Sequence, residues 1–209
     1  MGAQIGRRAA VGEPARLLQP VHEDRHRVDI ESAGVEALEP DAISYVQMDL
    51  TSHDDRAAAL AAVIERHGRL DVLVSNAGAQ LWKDFAETSD EEIEEIYNTK
   101  LTSTVRFLKQ ALPLLEASKG NIVIISSTAS RYVVSPSQKL SVYGASKAGL
   151  NQLGRTLAPE LGPKGIRINV VAPGLTRGEY SDAGLSQNDT ATQDWIRSVT
   201  PLGRIGEPE

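Results

Sequence analysis

Three short apolar runs restrict what this chain can fold into more than any other feature. They are Leu70-Asp71-Val72-Leu73-Val74, Asn121-Ile122-Val123-Ile124-Ile125 and Gly165-Ile166-Arg167-Ile168-Asn169-Val170-Val171. The first two are nearly continuous and read as strands buried on both faces of a parallel sheet. Parallel neighbours cannot be joined by a tight turn, so the intervening sequence must supply crossovers. Residues 89–116 place Ile93, Ile96, Leu101, Val105, Leu108 and Leu112 on a helical stripe behind an acidic first turn, with Pro113 expected to bend the end. Residues 141–161 read as a helix carrying Leu150, Leu153, Leu157 and Leu161 inward. Upstream, residues 54–67 read as a helix with Ser52 as N-cap, Ala57, Leu60, Ala61 and Ile64 on one face, and Gly68 as its stop. Residues 42–48, and more briefly Val28-Asp29-Ile30, have strand character. This βαβ alternation specifies an α/β fold: a doubly wound parallel sheet, Rossmann-like, in three αβα layers.

Ligands of such sheets bind beyond the C-terminal ends of the strands. Every unusual short phrase in the chain lies at one of those ends: Asn76-Ala77-Gly78, Ser126-Ser127 and Ala172-Pro173-Gly174. Just after the second of them comes Ser141-Val142-Tyr143-Gly144-Ala145-Ser146-Lys147. On a helix, Tyr143 and Lys147 are one turn apart on the same face. A phenol is a reluctant acid or base at neutral pH, and a nearby cation favours its anion. A serine hydroxyl from the neighbouring strand end could hydrogen-bond the same oxygen that Tyr143 protonates, as reduction of a carbonyl to an alcohol requires. Taken alone, the spacing arises readily by chance, and a tyrosine packed over a lysine stem on a surface helix explains it equally well.

The composition narrows the chemistry. A net charge of −6 and a pI near 5.3 argue against nucleic acid or an anionic membrane as partner, both of which reward clustered basic residues. There are no cysteines, hence no disulfides, thiolate nucleophiles or cysteine zinc sites, and no apolar run long enough to span a bilayer. His22, His26, His53 and His67 have no metal-ligand spacing, so no metal site is expected. A cytoplasmic protein acting on a small molecule is the expectation.

Asp49-Leu50, Asn76-Ala77-Gly78, Ser126-Ser127, Tyr143 with Lys147, and Pro173-Gly174, in that order and each at a strand end or helix start, resemble the classical short-chain dehydrogenase/reductase family. The resemblance covers roughly residue 28 to the C-terminus. It implies an NAD(P)-dependent oxidoreductase interconverting a secondary alcohol and a ketone. Tyr143 would be the proton donor or acceptor, and Lys147 would hold the nicotinamide ribose and lower the tyrosine pKa. Asn76, Ala77 and Gly78 would lie along the cofactor, Asp49 and Leu50 by the adenine, and Pro173 and Gly174 under the nicotinamide. Asp29 would bind the adenosine ribose and favour NAD over NADP. Strand-end position selects Ser127 as the carbonyl-polarising serine, and loop counting selects Ser130. A homo-oligomer, dimer or tetramer, is implied, with Gly144, Ala145, Ala148 and Gly149 allowing close helix packing; packing of that helix on its own sheet is the competing account.

The chain also departs from the family pattern. Residues 1–27 read as irregular, with Gly2 and Gly6 echoing a glycine-rich cofactor loop, and residues 28–209 as one Rossmann-like domain. Against the family pattern the first strand and the last helix and strand are missing, as if truncated at both ends. Lys100 stands where the family has a relay asparagine, with Asn98 two residues away, and Thr176 precedes the usual threonine position, which Gly178 occupies. Residues 175–209 suit either a lid anchored by Trp195, Ile196 and Val199 or a surface loop with one short helix. A non-catalytic fragment or pseudoenzyme unable to bind the dinucleotide is the alternative function.

Overall fold

The structure, a computed structural model, describes residues 45–78, 81–132, 139–177 and 190–207. Three parallel strands form its sheet in the order β1 (Val72–Ser75), β2 (Asn121–Ile125) and β3 (Arg167–Val171). Val72 pairs with Asn121, and Asn121 in turn with Arg167, so the three strands start level, and β1 ends one residue short of β2 and β3. Their C-terminal ends therefore form one edge, and the phrases that follow them are brought side by side.

Helix α1 (His53–His67) begins as the sequence predicts. Ser52 Oγ accepts the Asp55 N–H at 3.2 Å, and Gly68, at φ 71°, closes the other end by donating its N–H to the Ile64 carbonyl. The long helix expected over 89–116 is interrupted. A capping box between Ser89 and Glu92 starts α2 (Asp90–Tyr97), a π-helical turn spans Asn98–Thr102, and α3 (Ser103–Ser118) continues beyond it. Pro113 lies inside α3, which runs on for five further residues, so it does not end the helix. Helix α4 (Ser141–Leu161) follows β2, and α5 (Thr190–Val199) follows β3.

Leu60 of α1, Phe107, Leu108, Ala111 and Leu115 of α3, Leu150 and Leu161 of α4, and Leu73, Ile122 and Ile124 of the sheet make one core. All three helices thus cover the same face. The expectation of strands buried on both faces is corrected here: Val72, Val74 and Val171 on the opposite face are about half exposed. The reason is that, among the described residues, no helix packs on that side. Residues 45–48, part of the expected strand 42–48, pair with no described strand, although Met48 packs against the core. Val28-Asp29-Ile30 and the segment 1–27 lie outside the described residues.

A second small core joins α5 to the chain after β3. Ile196 and Ile205 are buried there with Leu175 and Trp195 against them. A bridge between Thr176 and Gly206 fixes the two segments, with Arg177 N–H to Gly206 O at 2.8 Å and Gly206 N–H to Leu175 O at 3.0 Å. Val199, expected as an anchor, is instead more than half exposed.

Candidate active site

The strand ends build the site. Ile125 ends β2, and its carbonyl accepts a hydrogen bond from Lys147 Nζ at 2.7 Å. Ser126 N–H is held by the Val171 carbonyl at 2.7 Å, and its hydroxyl donates to the Lys147 backbone carbonyl at 3.0 Å. Strand β2 thereby grips α4 at both the backbone and the side chain of Lys147. Thr128 N–H donates to Pro173 O at 2.9 Å, tying the turn after β2 to the turn after β3.

Tyr143 is buried one turn before Lys147, and the Lys147 ammonium stands 5.8 Å from its ring centroid. Burial lowers the Lys147 pKa to about 8. Lys100 closes the site from the opposite element, also buried, with its Nζ 5.6 Å from the same centroid. Its pKa is lowered to about 7, first by burial and then by repulsion from Lys147. Lys100 lies in the π turn, where Thr104 Oγ1 donates to the Lys100 carbonyl at 2.8 Å while bonding Ser75 at the end of β1 at 3.2 Å.

The serines differ in what their hydroxyls already do. Ser130 Oγ donates to the Ser127 carbonyl at 2.5 Å and accepts the Asn151 Nδ2–H at 2.6 Å. Ser127 Oγ accepts the Ala129 N–H at 3.2 Å, and its own hydrogen has no acceptor among the described residues.

Asn76 and Ala77 are exposed beyond β1, and Gly78 follows at φ 142°, a backbone setting suited to glycine. Pro173 and Gly174 are exposed beyond β3, with open space where a Cβ on Gly174 would stand. Asp49 and Leu50 are differently engaged. The Asp49 carboxylate accepts both the Thr51 N–H at 2.7 Å and the Thr51 hydroxyl at 2.8 Å, and the Leu50 carbonyl accepts Arg56 Nη1–H at 2.6 Å. These are turn and helix-start bonds. Asp29 lies outside the described residues.

A family model described as enoyl-(acyl carrier protein) reductase matches residues 17–209. A tropinone reductase homolog of Arabidopsis thaliana is 38% identical over 77% of this chain and 59% of its own length. Among solved structures, a short-chain dehydrogenase from Streptomyces avermitilis superposes with a TM-score of 0.63 at 32% identity, covering 69% of this chain and 53% of that one. The chain belongs to the short-chain dehydrogenase/reductase family. Its sheet and helices are the Rossmann fold of that family. Another solved structure, ElxO with NADP bound, superposes with a TM-score of 0.71 at 30% identity over 82% of this chain and 68% of that one. The chain spans little more than half the length of the plant relatives it matches.

Two site features escape a reading by motif. Ser126 was visible only as half of a serine pair, and its grip on Lys147 depends on the helix docking. The buried position of Lys100 had a signal: it falls four residues after Ile96, on the apolar stripe of its helix, where a lysine breaks the pattern. The small residues of α4 are largely used within the chain. A Cβ on Gly144 would stand 2.8 Å from the Ala129 carbonyl, and one on Gly149 would stand 2.9 Å from Leu101. For these two glycines the packing is against the protein's own elements.

Proposed function

We propose that the protein interconverts a secondary alcohol and a ketone, with Tyr143 as general acid and base, Lys147 as its partner cation and Ser127 as the donor to the carbonyl oxygen. The observation that carries this reading is the buried Tyr143–Lys147 pair, held to the end of β2 by the Lys147 bond to Ile125 O. The donor set suits the nicotinamide half of a dinucleotide. Lys147 spends one of its three hydrogens on Ile125 O, leaving two for ribose hydroxyls, and Asn76, Ala77, Gly78, Pro173 and Gly174 follow the ends of the two strands that pair with β2. Bound there, NAD or NADP would supply or accept the hydride.

In the reducing direction the Tyr143 hydroxyl gives its proton to the carbonyl oxygen as negative charge develops on it. The Ser127 hydroxyl donates a second hydrogen bond to that oxygen, which its spare hydrogen allows without breaking an internal bond. Lys147 stabilises the phenolate left behind. In the oxidising direction the phenolate takes the alcohol proton. ElxO, with NADP bound, makes either dinucleotide a reasonable probe, although Asp29 favours NAD. Copies of the chain would associate as a dimer or tetramer, which sedimentation velocity would resolve.

A second reading, a family member that keeps the fold and does not bind the dinucleotide, draws on the half-exposed Val72, Val74 and Val171. An apolar sheet face with no helix on it among the described residues favours association or partial folding over ligand binding. Titration with NADH and NADPH, followed by nucleotide fluorescence, separates the two. Binding of either, with turnover abolished in Tyr143→Phe and affinity retained, is the expected result. No binding of either nucleotide at millimolar concentration overturns the enzyme reading for this chain.

A further inference from the structure

Among the described residues, Lys100 is the buried cation of the site that the reaction above does not use. Its position follows from three independent pieces of geometry. It lies in the π turn Asn98–Thr102, and Thr104 holds its carbonyl. Gly78 makes room for it: a Cβ there would stand 2.5 Å from Lys100 Cδ and 2.8 Å from both Cε and Nζ. The side chain therefore lies in the space that any other residue at 78 would fill. From there its Nζ reaches 5.6 Å from the Tyr143 centroid, as Lys147 does from α4 at 5.8 Å.

Two amines thus flank one phenol. We propose that Lys100 is a second positioning cation of this site, acting with Lys147 to set the ionisation of the Tyr143 phenol. The inference rests on the reading of Tyr143 as the acid and base, but its test does not require turnover.

Among the described residues, the groups facing Lys100 are Tyr143 and Lys147 of α4 and the Gly78 backbone of the turn after β1. Among the described residues no carboxylate forms an ion pair with it. Burial lowers the pKa of both amines, Lys100 to about 7 and Lys147 to about 8, and repulsion from Lys147 adds to the lowering at Lys100. A phenolate beside the two amines in turn favours their charged forms, so a second amine extends the base form of Tyr143 to lower pH than Lys147 alone would allow.

The test titrates the lysines by NMR of 13Cε-labelled protein, and the tyrosinate by ultraviolet absorbance, using Tyr143→Phe to identify the Tyr143 signal. Wild type, Lys100→Met, Lys100→Gln and Lys147→Met are compared as full chains. Lys100 should show a midpoint near pH 7 that moves up in Lys147→Met. The Tyr143 phenolate should form at a pH about one unit higher in Lys100→Met than in wild type. Lys100→Gln, which keeps a polar group against Gly78, should shift it in the same direction and serves if the methionine variant does not fold. A Lys100 midpoint near that of an exposed lysine overturns the proposal, as does an unchanged Tyr143 titration in a folded Lys100 variant. Retained turnover in Tyr143→Phe would overturn the function above and leave these titrations as they stand.

Discussion

The docking of α4 on β3 positions Tyr143 and Lys147, and Gly154 is the point where that docking is tightest. A Cβ added at Gly154 would lie 2.2 Å from Val170 Cγ2 and 3.7 Å from Val170 Cβ. The first distance is more than 1 Å shorter than ordinary carbon contact, roughly 3.5 Å or more, and the second is unstrained. The clash is thus with a single methyl group of a β-branched side chain stiff about χ1. Gly154→Ala should gain about 1 kcal/mol of helix propensity and lose about 1–3 kcal/mol to overpacking. The net expectation is destabilisation of about 1 kcal/mol. Val170→Ala removes the offending methyl, so in that background the same substitution should be neutral or stabilising by up to about 1 kcal/mol. Urea melts of the four proteins give the coupling energy directly, expected at about 1–3 kcal/mol. Equal effects of Gly154→Ala in both backgrounds, within about 0.3 kcal/mol, would refute the close approach of α4 to β3.

The stability of the protein should depend on pH through its two buried amines. Both Lys100 and Lys147 have folded pKa values below the ordinary lysine value, so the unfolded chain binds more protons and stability rises with pH from about 7 towards about 10. Melting temperatures across that range should climb in wild type and flatten in Lys100→Met/Lys147→Met; parallel curves would contradict the burial of the amines. Ser127→Ala should lower kcat by about 10²–10³-fold and cost up to about 1 kcal/mol of stability through the Ala129 N–H it leaves uncapped. Ser130→Ala should instead cost about 1 kcal/mol of stability with little loss of rate, since its hydroxyl is spent on Ser127 O and Asn151. The reverse ranking would assign the carbonyl to Ser130. Ser52→Ala should cost about 1 kcal/mol by orphaning the Asp55 N–H at the start of α1, which a thermal melt would register.

What the sequence determined by itself was local and ordered. Apolar runs, caps and helix periodicity specified the elements and their alternation, because hydrogen bonding and side-chain spacing within one element depend on near neighbours. The order of strand-end phrases was enough to identify the family and to place Tyr143 and Lys147 one turn apart. The π turn was not legible, because 3.6-residue periodicity absorbs one extra residue without a visible break. Nor was the division of labour between Ser127 and Ser130, which depends on Asn151, a residue 21 positions beyond Ser130 in the chain. Asp49 shows the opposite case: a carboxylate suited to a ligand by position is engaged by Thr51 two residues away.

Only the tertiary structure could decide the state of the central pair. The Tyr143–Lys147 spacing gives a phenol and an amine on one helical face. Burial, the Ile125 carbonyl and Lys100 arriving from another helix decide how those groups hold their protons. Charge in a buried pocket depends on every group within several ångströms, whatever its distance along the chain. Those neighbours come from β2, the π turn and α4, which the fold alone brings together.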